Sequence, residues 1–531
     1  QEYDYFVGQL RQKRFIDDAE TLDFGSPHTI PTSEFLSAGI WQLYKSLEAP
    51  HKALMKLLLI ESYANDQQSL ATLSLEFKQA LHAGELDDDQ LDTYLQIYRR
   101  LETYLLARNE NERLELLRRC LYFKTDLRLS NNGGHHPIPT ESASHLRSQA
   151  ARETMATAVV DPRWRSARMA NLARGWGWTR PHIATLDQRA NWPVDAIRTE
   201  HKLLSGELIH SYRLLASLCG HEKLSTDTVG ASSTSTELSL IGRKLYATFE
   251  RKTDKLLRIN QGLITARCLS EATLTYAQDE HGNSHWRIHA GMQNGGQSTN
   301  DFMASPSQSP VDTLAWCVVN GLMDCSTRLH IADGDHQLTD YEARMLLACL
   351  VDNLPTGNPS IDSPHFAKPA ETVCHVYIAN PGVDPLHAQK TQGVHRVSGR
   401  TDPLAYGAGQ ENLLRSITHI SVNSWGEVFC HHHSGERCID EVIEDYFSFA
   451  RSDAPLPPRT VICACASKAS AITERLQKLF DDIEQHCCPA GEEPGQARYV
   501  FESANSLHAL EWVDACPRVT RYSHARQVFG S

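Results

Sequence analysis

The hydrophobic pattern changes its period near residue 265, and this change constrains the fold more than any other feature of the sequence. Before it, apolar residues recur three or four positions apart and strand-like alternation is nearly absent. After it, short alternating segments such as 272–276 and 373–379 follow one another between helical segments such as 341–351. The sequence therefore predicts an α+β multidomain protein, with an all-α helical domain at 1–265 and a mixed α/β domain at 266–531.

The size and charge of the chain fit this division and exclude several classes of protein. A chain of 531 residues is too long for one ordinary core. Its 52 basic and 65 acidic residues give a net charge of −13, which disfavours nonspecific nucleic-acid binding because that requires a net basic face. No apolar run approaches the roughly 18 residues of a membrane-spanning helix, and no secretory signal pattern is present. The start at Gln1 rather than Met suggests a fragment or a processed chain.

The fourteen cysteines are scattered along the chain, and none forms a CxxC pair with a matching partner. A chain of this size builds its cores without disulfides, so reduced thiols and a cytoplasmic location are expected. Cys463, Cys465, Cys487 and Cys488 are interpreted as core residues rather than as a metal site.

The pattern also places the individual elements. In the first domain, helices are expected within 33–63 and at 70–81, 91–106, 114–123, 194–218 and 237–259, with a polar loop at 131–144. In the second, strands are expected at 272–276, 286–289, 329–332, 373–379, 416–422, 461–466 and 499–501, and helices at 311–323, 341–351, 439–450 and 467–486. A hairpin should turn near Gly426, and 291–310 is a Gly/Ser/Gln-rich insertion. His135 and His136 are interpreted as loop residues, since no other metal ligand lies at a suitable spacing.

Two helices joined at Pro50 organise the first domain. Proline fits the first turn of a helix and disrupts its middle, so Pro50 starts the second helix. Ser33 is a plausible N-cap of the first. The connection is very short, which predicts an antiparallel pair. The apolar stripe of the first helix comprises Leu36, Ile40, Leu43 and Leu47.

Particular residues around Pro50 are more informative than the helical pattern alone. They are Glu34, Trp41, Leu43, Tyr44, Lys45, Pro50, Lys52 and Ala53. Further short blocks follow in order: Arg118-Arg119-Cys120, Trp176-Gly177-Trp178, Leu186-Asp187, Arg189-Ala190-Asn191-Trp192, Ser211-Tyr212-Arg213, Arg243-Lys244-Leu245-Tyr246-Ala247, Ala315-Trp316, Asn320-Gly321-Leu322, Arg328-Leu329, Asn423-Ser424-Trp425 and Glu427-Val428. In this order and spacing, the blocks resemble the bacterial class I adenylate cyclases over most of the chain.

The resemblance implies that the whole enzyme converts ATP to cyclic AMP and pyrophosphate with Mg²⁺. The ribose 3′ hydroxyl must attack the α-phosphorus while pyrophosphate leaves, and two metal-holding acidic residues are the usual solution. In the family, a Gly-Ser element followed by an Asp-x-Asp pair provides them, upstream of the helix pair, and we do not find these motifs in this sequence. The segment alone is therefore predicted to be inactive, with Mg²⁺ bound mainly by residues outside it.

Two other stretches match such motifs only in part. The sequence GASSTS at 230–235 is followed by no strand-borne Asp-x-Asp and is expected to be a loop and helix N-cap. The three aspartates at 87–89 are expected at a helix N-terminus, where carboxylates interact favourably with the helix dipole. No Gly-x-x-x-x-Gly-Lys phosphate loop occurs.

Asp92, Lys45 and Lys52 are the candidate site residues of the first domain. From the residues alone, Asp92 fits a first-turn helix acid, and the lysines fit a solvated face. The resemblance aligns Asp92 with an acidic residue implicated in the family's activity, which makes it the catalytic candidate. Lys45 and Lys52, together with Lys56, would neutralise the triphosphate of ATP.

Three consecutive histidines at 431–433 form the candidate site of the second domain. In a strand, His431 and His433 share one face and His432 lies on the other. The resemblance places a regulatory phosphohistidine at His432, phosphorylated in some members by the glucose-specific phosphotransfer (IIA-type) protein. An imidazole near neutral pH can accept a phosphoryl group. Phe429 and Cys430 differ from the Arg and Thr that the family carries beside it.

Two alternatives to the cyclase interpretation stay open. One is a noncatalytic module that binds a protein or a small effector. The other is a zinc-dependent protein built on Cys430 and His431 to His433, although neighbouring positions of a strand do not easily share one ion. Sequence upstream of Gln1 would separate the first alternative from the enzyme, because a Gly-Ser followed by Asp-x-Asp there indicates the cyclase.

Overall fold

The computed structural model describes most of the chain in separate ranges. These are 2–16, 32–65, 72–84, 92–125, 127–130, 162–189, 192, 194–223, 230–259, 268–278, 284–291, 307–332, 334, 336–356, 364–393, 399–450, 455–487, 498–514 and 516–529. The predictions for 87–89, for 131–144 with His135 and His136, for Cys488, and for most of the insertion at 291–310 lie outside the described residues.

The chain forms two compact units, and each is described by itself. The helical unit comprises 1–192 and 199–246, and the α/β unit comprises 193–198 and 247–531. The predicted α+β multidomain fold is confirmed, because every described regular element before Glu271 is helical and strands follow it. The domain boundary at 265 stays a prediction.

The described helices of the N-terminal part are, in order, α1 (Glu2–Gln12), α2 (Thr32–Ser46), α3 (Pro50–Asn65), α4 (Leu73–His82), α5 (Thr93–Ala107), α6 (Asn111–Thr125), α7 (Pro162–Gly175), α8 (Arg180–Asp187), α9 (Val194–Lys223) and α10 (Gly230–Phe249). The predicted helix pair is confirmed: α3 begins at Pro50, and α2 packs directly against it. The four apolar residues predicted for the stripe of α2 are all buried.

A close approach of α2 to α9 depends on Gly39. A Cβ atom at this position would lie 2.6 Å from Cδ2 of Leu215, which is shorter than any normal carbon–carbon contact. Leu215 of α9 therefore packs against α2 where α2 carries no side chain.

The α/β unit contains the strands β1 (Glu271–Gln278), β2 (Ser284–Ala290), β3 (Arg328–Ile331), β4 (Thr372–Ala379), β5 (Ser416–Asn423), β6 (Val428–Ser434), β7 (Arg459–Cys463), β8 (Tyr499–Ser503), β9 (Ser506–Val513) and β10 (Cys516–Tyr522). Its described helices are α11 (Pro310–Val319), α12 (Asp340–Asn353), α13 (His387–Thr391), α14 (Cys438–Phe447), α15 (Ala469–Cys487) and α16 (Ala525–Phe529), with a 3₁₀ turn at Pro364–Ala367.

The described strands form three sheets. Their strand orders are β2-β1-β3, β6-β5-β4-β7 and β10-β9-β8. The first two are mixed, since β1 pairs parallel with β3 and β4 pairs parallel with β7, while their other pairs are antiparallel. The mixed sheet and the hairpin turning near Gly426 were both predicted and are confirmed, with Thr418 paired to His432 across β5 and β6.

The central sheet buries one face against α14 and α15. Tyr377 from β4, Ile443 from α14 and Phe480 from α15 belong to the same buried core, and Tyr377 stacks on Phe480 with ring centroids 5.1 Å apart. The third sheet joins this core through Leu510. This packing determines which side chains of β5 and β6 face α14.

Three parts of the prediction were wrong. The stretch 230–235, predicted as a loop, lies in the first turns of α10, because serine and threonine only weakly oppose a helix that is stabilised further along by packing. The helix predicted to extend to 259 ends at Phe249. The strands β9 and β10 were not predicted, since their sequences carry charged and polar residues on the exposed face.

Two further observations concern the described residues only. None of their helices combines the length and apolar character that crossing a bilayer requires. Each cysteine among them is a free thiol.

Candidate functional site

Asp92 is the N-cap of α5. Its Oδ1 accepts hydrogen bonds from the backbone N–H groups of Tyr94 at 2.9 Å and Leu95 at 3.1 Å. Its Oδ2 pairs with Arg168 at 3.3 Å, and the side chain is 40% exposed. Both oxygens of this carboxylate thus have a partner within the helical unit. The geometry agrees with the helix-start interpretation; the catalytic role stays a prediction.

Lys45 and Lys52 both lie exposed near the turn between α2 and α3. The ammonium of Lys45 lies 4.8 Å from the ring centroid of Trp41, which is itself 58% exposed. Among the described residues, neither lysine forms an ion pair with Asp92. The structure therefore presents the two lysines at the surface of one helix pair and leaves their role towards a triphosphate as a prediction.

A buried network of charges ties α3, α5, α6 and α9 together. Arg113 forms a two-pronged pair with Glu61, at 3.0 Å to Oε1 and 2.7 Å to Oε2, and its Nε donates to Glu207 at 2.7 Å. Tyr104 donates to the same Glu61 carboxylate at 3.0 Å, and His210 lies 3.4 Å from it. Glu61 is only 3% exposed, so its charge is compensated entirely from within the protein.

The pKa values of the network follow from this geometry. Burial raises the pKa of Glu61, but hydrogen bonds from His210 and Arg113 outweigh it and lower the pKa to about 2. The hydrogen bond to Glu61 raises the pKa of His210. Burial raises the pKa of Glu207. One carboxylate of the pair that faces Arg113 is therefore strongly stabilised as the anion, whereas the other is not.

Three of these helices, α3, α6 and α9, are also joined by a second group of buried charged residues. The ring Nε2 of His51 lies 2.9 Å from Glu200, and Arg119 contacts the other oxygen of Glu200 at 3.0 Å. Burial lowers the pKa of His51. Burial raises the pKa of Glu200, but His51 and Arg119 lower it overall.

These networks were not predicted, although the sequence contains a signal for one of them. Glu61 follows the apolar run 57–60 and continues the stripe of Leu54 and Leu58 at helical spacing, so a carboxylate is placed on a buried face. A carboxylate at such a position requires a cationic partner. The sequence does not indicate which arginine provides it.

Several residues of the family-like blocks contact one another inside the helical unit. Lys244, 3% exposed, lies 5.4 Å from the ring centroid of Tyr44. Tyr212 packs edge-on against Tyr246 with centroids 5.9 Å apart. Arg119, from another block, is the residue that pairs with Glu200. These block residues thus contribute to the packing of the helical unit, whereas Trp41, Lys45 and Lys52 of the block around Pro50 are exposed.

In the α/β unit, the three consecutive histidines do not converge on one metal ion. His431 bonds to Asp254 at 3.1 Å, His432 to Asp312 at 2.9 Å and His433 to Glu441 at 3.1 Å. Cys430 is 4% exposed and alternates to the opposite face from the first and third histidines. The zinc site built on Cys430 and all three histidines is therefore wrong, because the strand directs its neighbours to two different faces.

His432 is held by two neighbours at the edge of a cavity. Its Nε2 lies 2.9 Å from Asp312 and its Nδ1 lies 3.2 Å from the hydroxyl of Thr418. The hydrogen bond to Asp312 raises the pKa of His432, and partial burial opposes this effect. The side chain is 44% exposed. It is therefore a solvent-accessible imidazole oriented by a carboxylate, as a phosphoryl acceptor would need to be.

The cavity beside His432 has a volume of about 570 Å³. Its walls include Trp286, Tyr276 and His336, whose rings are in mutual contact. The backbone of Gly382 also lines it. Most of its other lining side chains are polar, among them Gln308, Gln337 and His387. The volume is within the range of small-molecule sites.

One acidic pair escaped the sequence reasoning. Asp333 and Asp335 have the Asp-x-Asp spacing and follow β3 directly. No Gly-Ser dipeptide precedes them along the strand. Both aspartates lie outside the described residues, so their surroundings give no test of metal binding.

The comparisons with known proteins identify the family of the chain. Three family models match in chain order: the second domain of class-I adenylate cyclase at residues 30–260, the third at 269–356 and the fourth at 363–505. The adenylate cyclase of Yersinia intermedia is 30% identical over 518 residues, covering 95% of this chain and 56% of the relative. That of Escherichia coli K12 is 29% identical over 507 residues, covering 93% and 55%. No solved structure matches the chain.

Three consecutive domain models of one multidomain protein family thus match the chain in order. The chain belongs to the class I adenylate cyclase family. It spans little more than half the length of the curated relatives that it matches.

Proposed function

We propose that this chain is part of an enzyme that converts ATP to cyclic AMP and pyrophosphate, and that it acts in the cytoplasm. In this proposal the helical unit supports the active site, and the α/β unit is regulatory. The names of the relatives and the order of the matched domains support the reaction. The reactive acids and most of the Mg²⁺ ligands are assigned to residues outside this segment.

One observation carries the supporting role of the helical unit. Several family-like residues form internal contacts, as in the Lys244–Tyr44 and Arg119–Glu200 pairs, and two largely buried charge networks connect α3, α6 and α9. Such networks fix the geometry of a scaffold at the cost of desolvating its charges. A scaffold of this kind can position exposed groups such as Lys45 and Lys52 beside bound ATP.

A cyclase assay and a binding assay test this proposal separately. The purified chain with ATP and Mg²⁺ is expected to show no turnover above buffer, and robust turnover would refute the inactivity of the segment. Binding of labelled ATP is expected to weaken when Lys45 and Lys52 are both replaced by Ala. Lys13→Ala, another exposed lysine outside the helix pair, serves as the charge control.

A separate double variant tests whether Asp333 and Asp335 supply a metal site. If the segment does turn over ATP, the double variant Asp333→Asn and Asp335→Asn shows whether this pair supplies the metal site. Unchanged turnover in the double variant would exclude the pair. Loss of turnover, with the fold retained by circular dichroism, would place the reactive acids inside the segment and overturn the proposal.

We propose that His432 is the regulatory residue of the α/β unit and accepts a phosphoryl group from a glucose-specific phosphotransfer (IIA-type) protein. With Nε2–H donating to Asp312, the lone pair on Nδ1 accepts a hydrogen bond from the Thr418 hydroxyl. When that hydroxyl rotates away, the lone pair attacks the phosphorus, and the donor's imidazole is the leaving group. Incubation with the phosphorylated donor should give acid-labile phosphate on the chain. The signal should vanish in His432→Gln and persist in His431→Gln; label that persists in both variants would exclude His432.

The noncatalytic effector-binding module is retained as a second candidate because of the cavity beside His432. Its aromatic walls suit a planar heterocycle. Titration with ATP, then with cyclic AMP, should quench the fluorescence of Trp286 if this cavity binds a nucleotide. A Trp286→Phe variant identifies the signal, and no spectral change with either nucleotide would leave the cavity without this function.

A further inference from the structure

A row of histidines runs across the face of the central sheet that packs against α14. His375 on β4, His419 on β5 and His433 on β6 follow one another, and Asp445 projects from α14 at the end of the row. His375 is fully buried and His419 is 3% exposed. The row lies on the opposite face of β6 from His432 and is therefore separate from the proposed phosphorylation site.

Three ring nitrogens in this row are buried without a hydrogen-bond partner. They are Nε2 of His375, Nδ1 of His419 and Nε2 of His433. A buried polar atom without a partner is destabilising, and such atoms are rare in folded proteins. Those of His419 and His433, on neighbouring strands, indicate that a group belonging between them is not part of the polypeptide.

The distances suit a metal ion better than a direct hydrogen bond. One ring nitrogen each of His419 and His433 and a carboxylate oxygen of Asp445 all lie within 4.8 Å of one another. The Nε2 of His433 lies 3.5 Å from Oδ2 of Asp445. Neighbouring ligands of a tetrahedral Zn²⁺ site, each about 2.0–2.1 Å from the metal, are separated by about 3.4 Å. Small side-chain rotations therefore suffice to bring all three into contact with one ion.

The neighbours of the two histidines orient them as metal ligands are usually oriented. Glu441 accepts a hydrogen bond from Nδ1 of His433 at 3.1 Å, which leaves the lone pair on Nε2. The Nε2 of His419 lies 2.8 Å from Nδ1 of His375, and in the tautomer in which His419 donates this hydrogen bond, the lone pair on its Nδ1 is left for a ligand. A hydrogen bond from the distal ring nitrogen to a fixed acceptor is the common second contact of a metal-binding histidine.

We propose that His419, His433 and Asp445 form a binding site for Zn²⁺ or a chemically similar divalent transition-metal ion. Two imidazoles and one carboxylate are a ligand set for such ions and not for Mg²⁺ or Ca²⁺, which prefer oxygen. Asp445 is 51% exposed, so water can reach a fourth position on the ion. The ion would link β5, β6 and α14, beside the hairpin that carries His432.

Zinc binding to the metal-stripped full chain tests the proposal. After treatment with a chelator, titration calorimetry with Zn²⁺ alone near neutral pH should show one site that is absent or at least roughly tenfold weaker in Asp445→Asn and in His433→Ala. Asn has the same shape as Asp, and the side chain of Asp445 is half exposed, so this replacement should keep the fold. Mg²⁺ in large excess should not compete.

A matched control separates this site from adventitious binding by the other histidines. His431→Ala removes an imidazole from the same strand and the same face, but one that bonds to Asp254, so it should leave the site intact. Glu441→Gln should weaken binding without abolishing it, since it only orients His433. Co²⁺ should give a visible absorption band that disappears in Asp445→Asn.

The proposal is overturned by either of two results. One is Zn²⁺ binding of equal affinity and stoichiometry in the unaltered chain, Asp445→Asn and His433→Ala. The other is that neither the unaltered chain nor the two variants bind Zn²⁺, while circular dichroism shows all three proteins folded.

Discussion

In the helical unit, the network around Glu61 pairs its buried charges, whereas the row in the α/β unit places buried imidazoles in contact with each other. Arg113 and Glu61 compensate one another through two hydrogen bonds. In the row, burial lowers the pKa of His375 to about 4 and that of His419 to about 2, and ring nitrogens remain without partners. Both regions exclude water, but they satisfy their polar groups to different degrees.

This difference distinguishes groups that are buried for structural reasons from groups that can bind a ligand. A network whose members are paired within the protein gains rigidity and leaves little capacity for a ligand. A row with unpartnered nitrogens keeps lone pairs available. Burial and perturbed pKa values alone would mark both regions as functional candidates; the state of the hydrogen bonds distinguishes them.

Replacing Arg113 by Met should have the largest effect on stability. Glu61 and Glu207 would then lie buried without their cation, and breaking a buried pair from one side costs about 3–5 kcal/mol. Urea unfolding should show the loss as a lower midpoint. Arg174→Met makes the same change at an exposed site, and it should alter the free energy of unfolding by no more than about 0.5 kcal/mol. Similar losses in the two variants would mean that the buried pairing contributes nothing special.

The metal-free α/β unit should lose stability between about pH 6.5 and pH 4. An unfolded histidine binds a proton near its ordinary pKa of about 6.5, but folded His375 does so only near 4, so lowering the pH favours the unfolded state by about 3 kcal/mol from this residue alone. Hydrogen exchange of peptides from β4 and β5, corrected for intrinsic rates, measures this loss. His375→Gln should flatten the pH dependence; a profile unchanged by that variant would contradict it.

The helical unit should respond to acid in a lower window. The pKa of Glu61 is depressed to about 2, so its contribution is complete above the unfolded value of about 4.3 and is lost as the pH falls towards 2, by roughly 2–3 kcal/mol. His210, whose pKa is raised, contributes with the opposite sign: its stabilisation is present below about 6.5 and fades as the pH rises. Hydrogen exchange of peptides from α3 and α6, corrected for intrinsic rates, measures this loss of stability. Glu61→Gln should remove the loss between about pH 4.3 and pH 2.

Asp92→Asn should have the smallest effect, within about 0.5 kcal/mol. Asparagine caps helices about as well as aspartate, and the pair with Arg168 is partly exposed. Asp92→Ala, which removes the cap, should cost about 1 kcal/mol by urea unfolding. If Asp92→Asn lowers the free energy of unfolding as much as Asp92→Ala does, the charge of Asp92 contributes beyond capping. The partly exposed Asp92 and the buried Glu61 would then differ less in their contribution to stability.

Much of the fold could be predicted because its signals are local. The strands β1 to β5 and the helices α12, α14 and α15 were all found from the period of their apolar residues, since each packs one face on a core. The third sheet was only partly found, because β9 and β10 alternate charged and apolar residues in a chain end that resembles a loop.

The candidate sites could be predicted only in part. The histidines at 431–433 were recognised, yet the sequence could not show that His432 contacts Asp312 while His433 contacts Glu441. His419 carried no signal at all, because a single histidine in an apolar strand has no local partner to mark it.

The sequence by itself determined the family, the order of a helical and an α/β region, and the helix pair at Pro50, because these depend on neighbours along the chain. Only the tertiary structure decided that Glu61 meets Arg113 and that His419, His433 and Asp445 meet at all. The reason is physical: helix packing and strand register determine distances between residues remote in sequence, and both depend on the summed contacts of the whole unit.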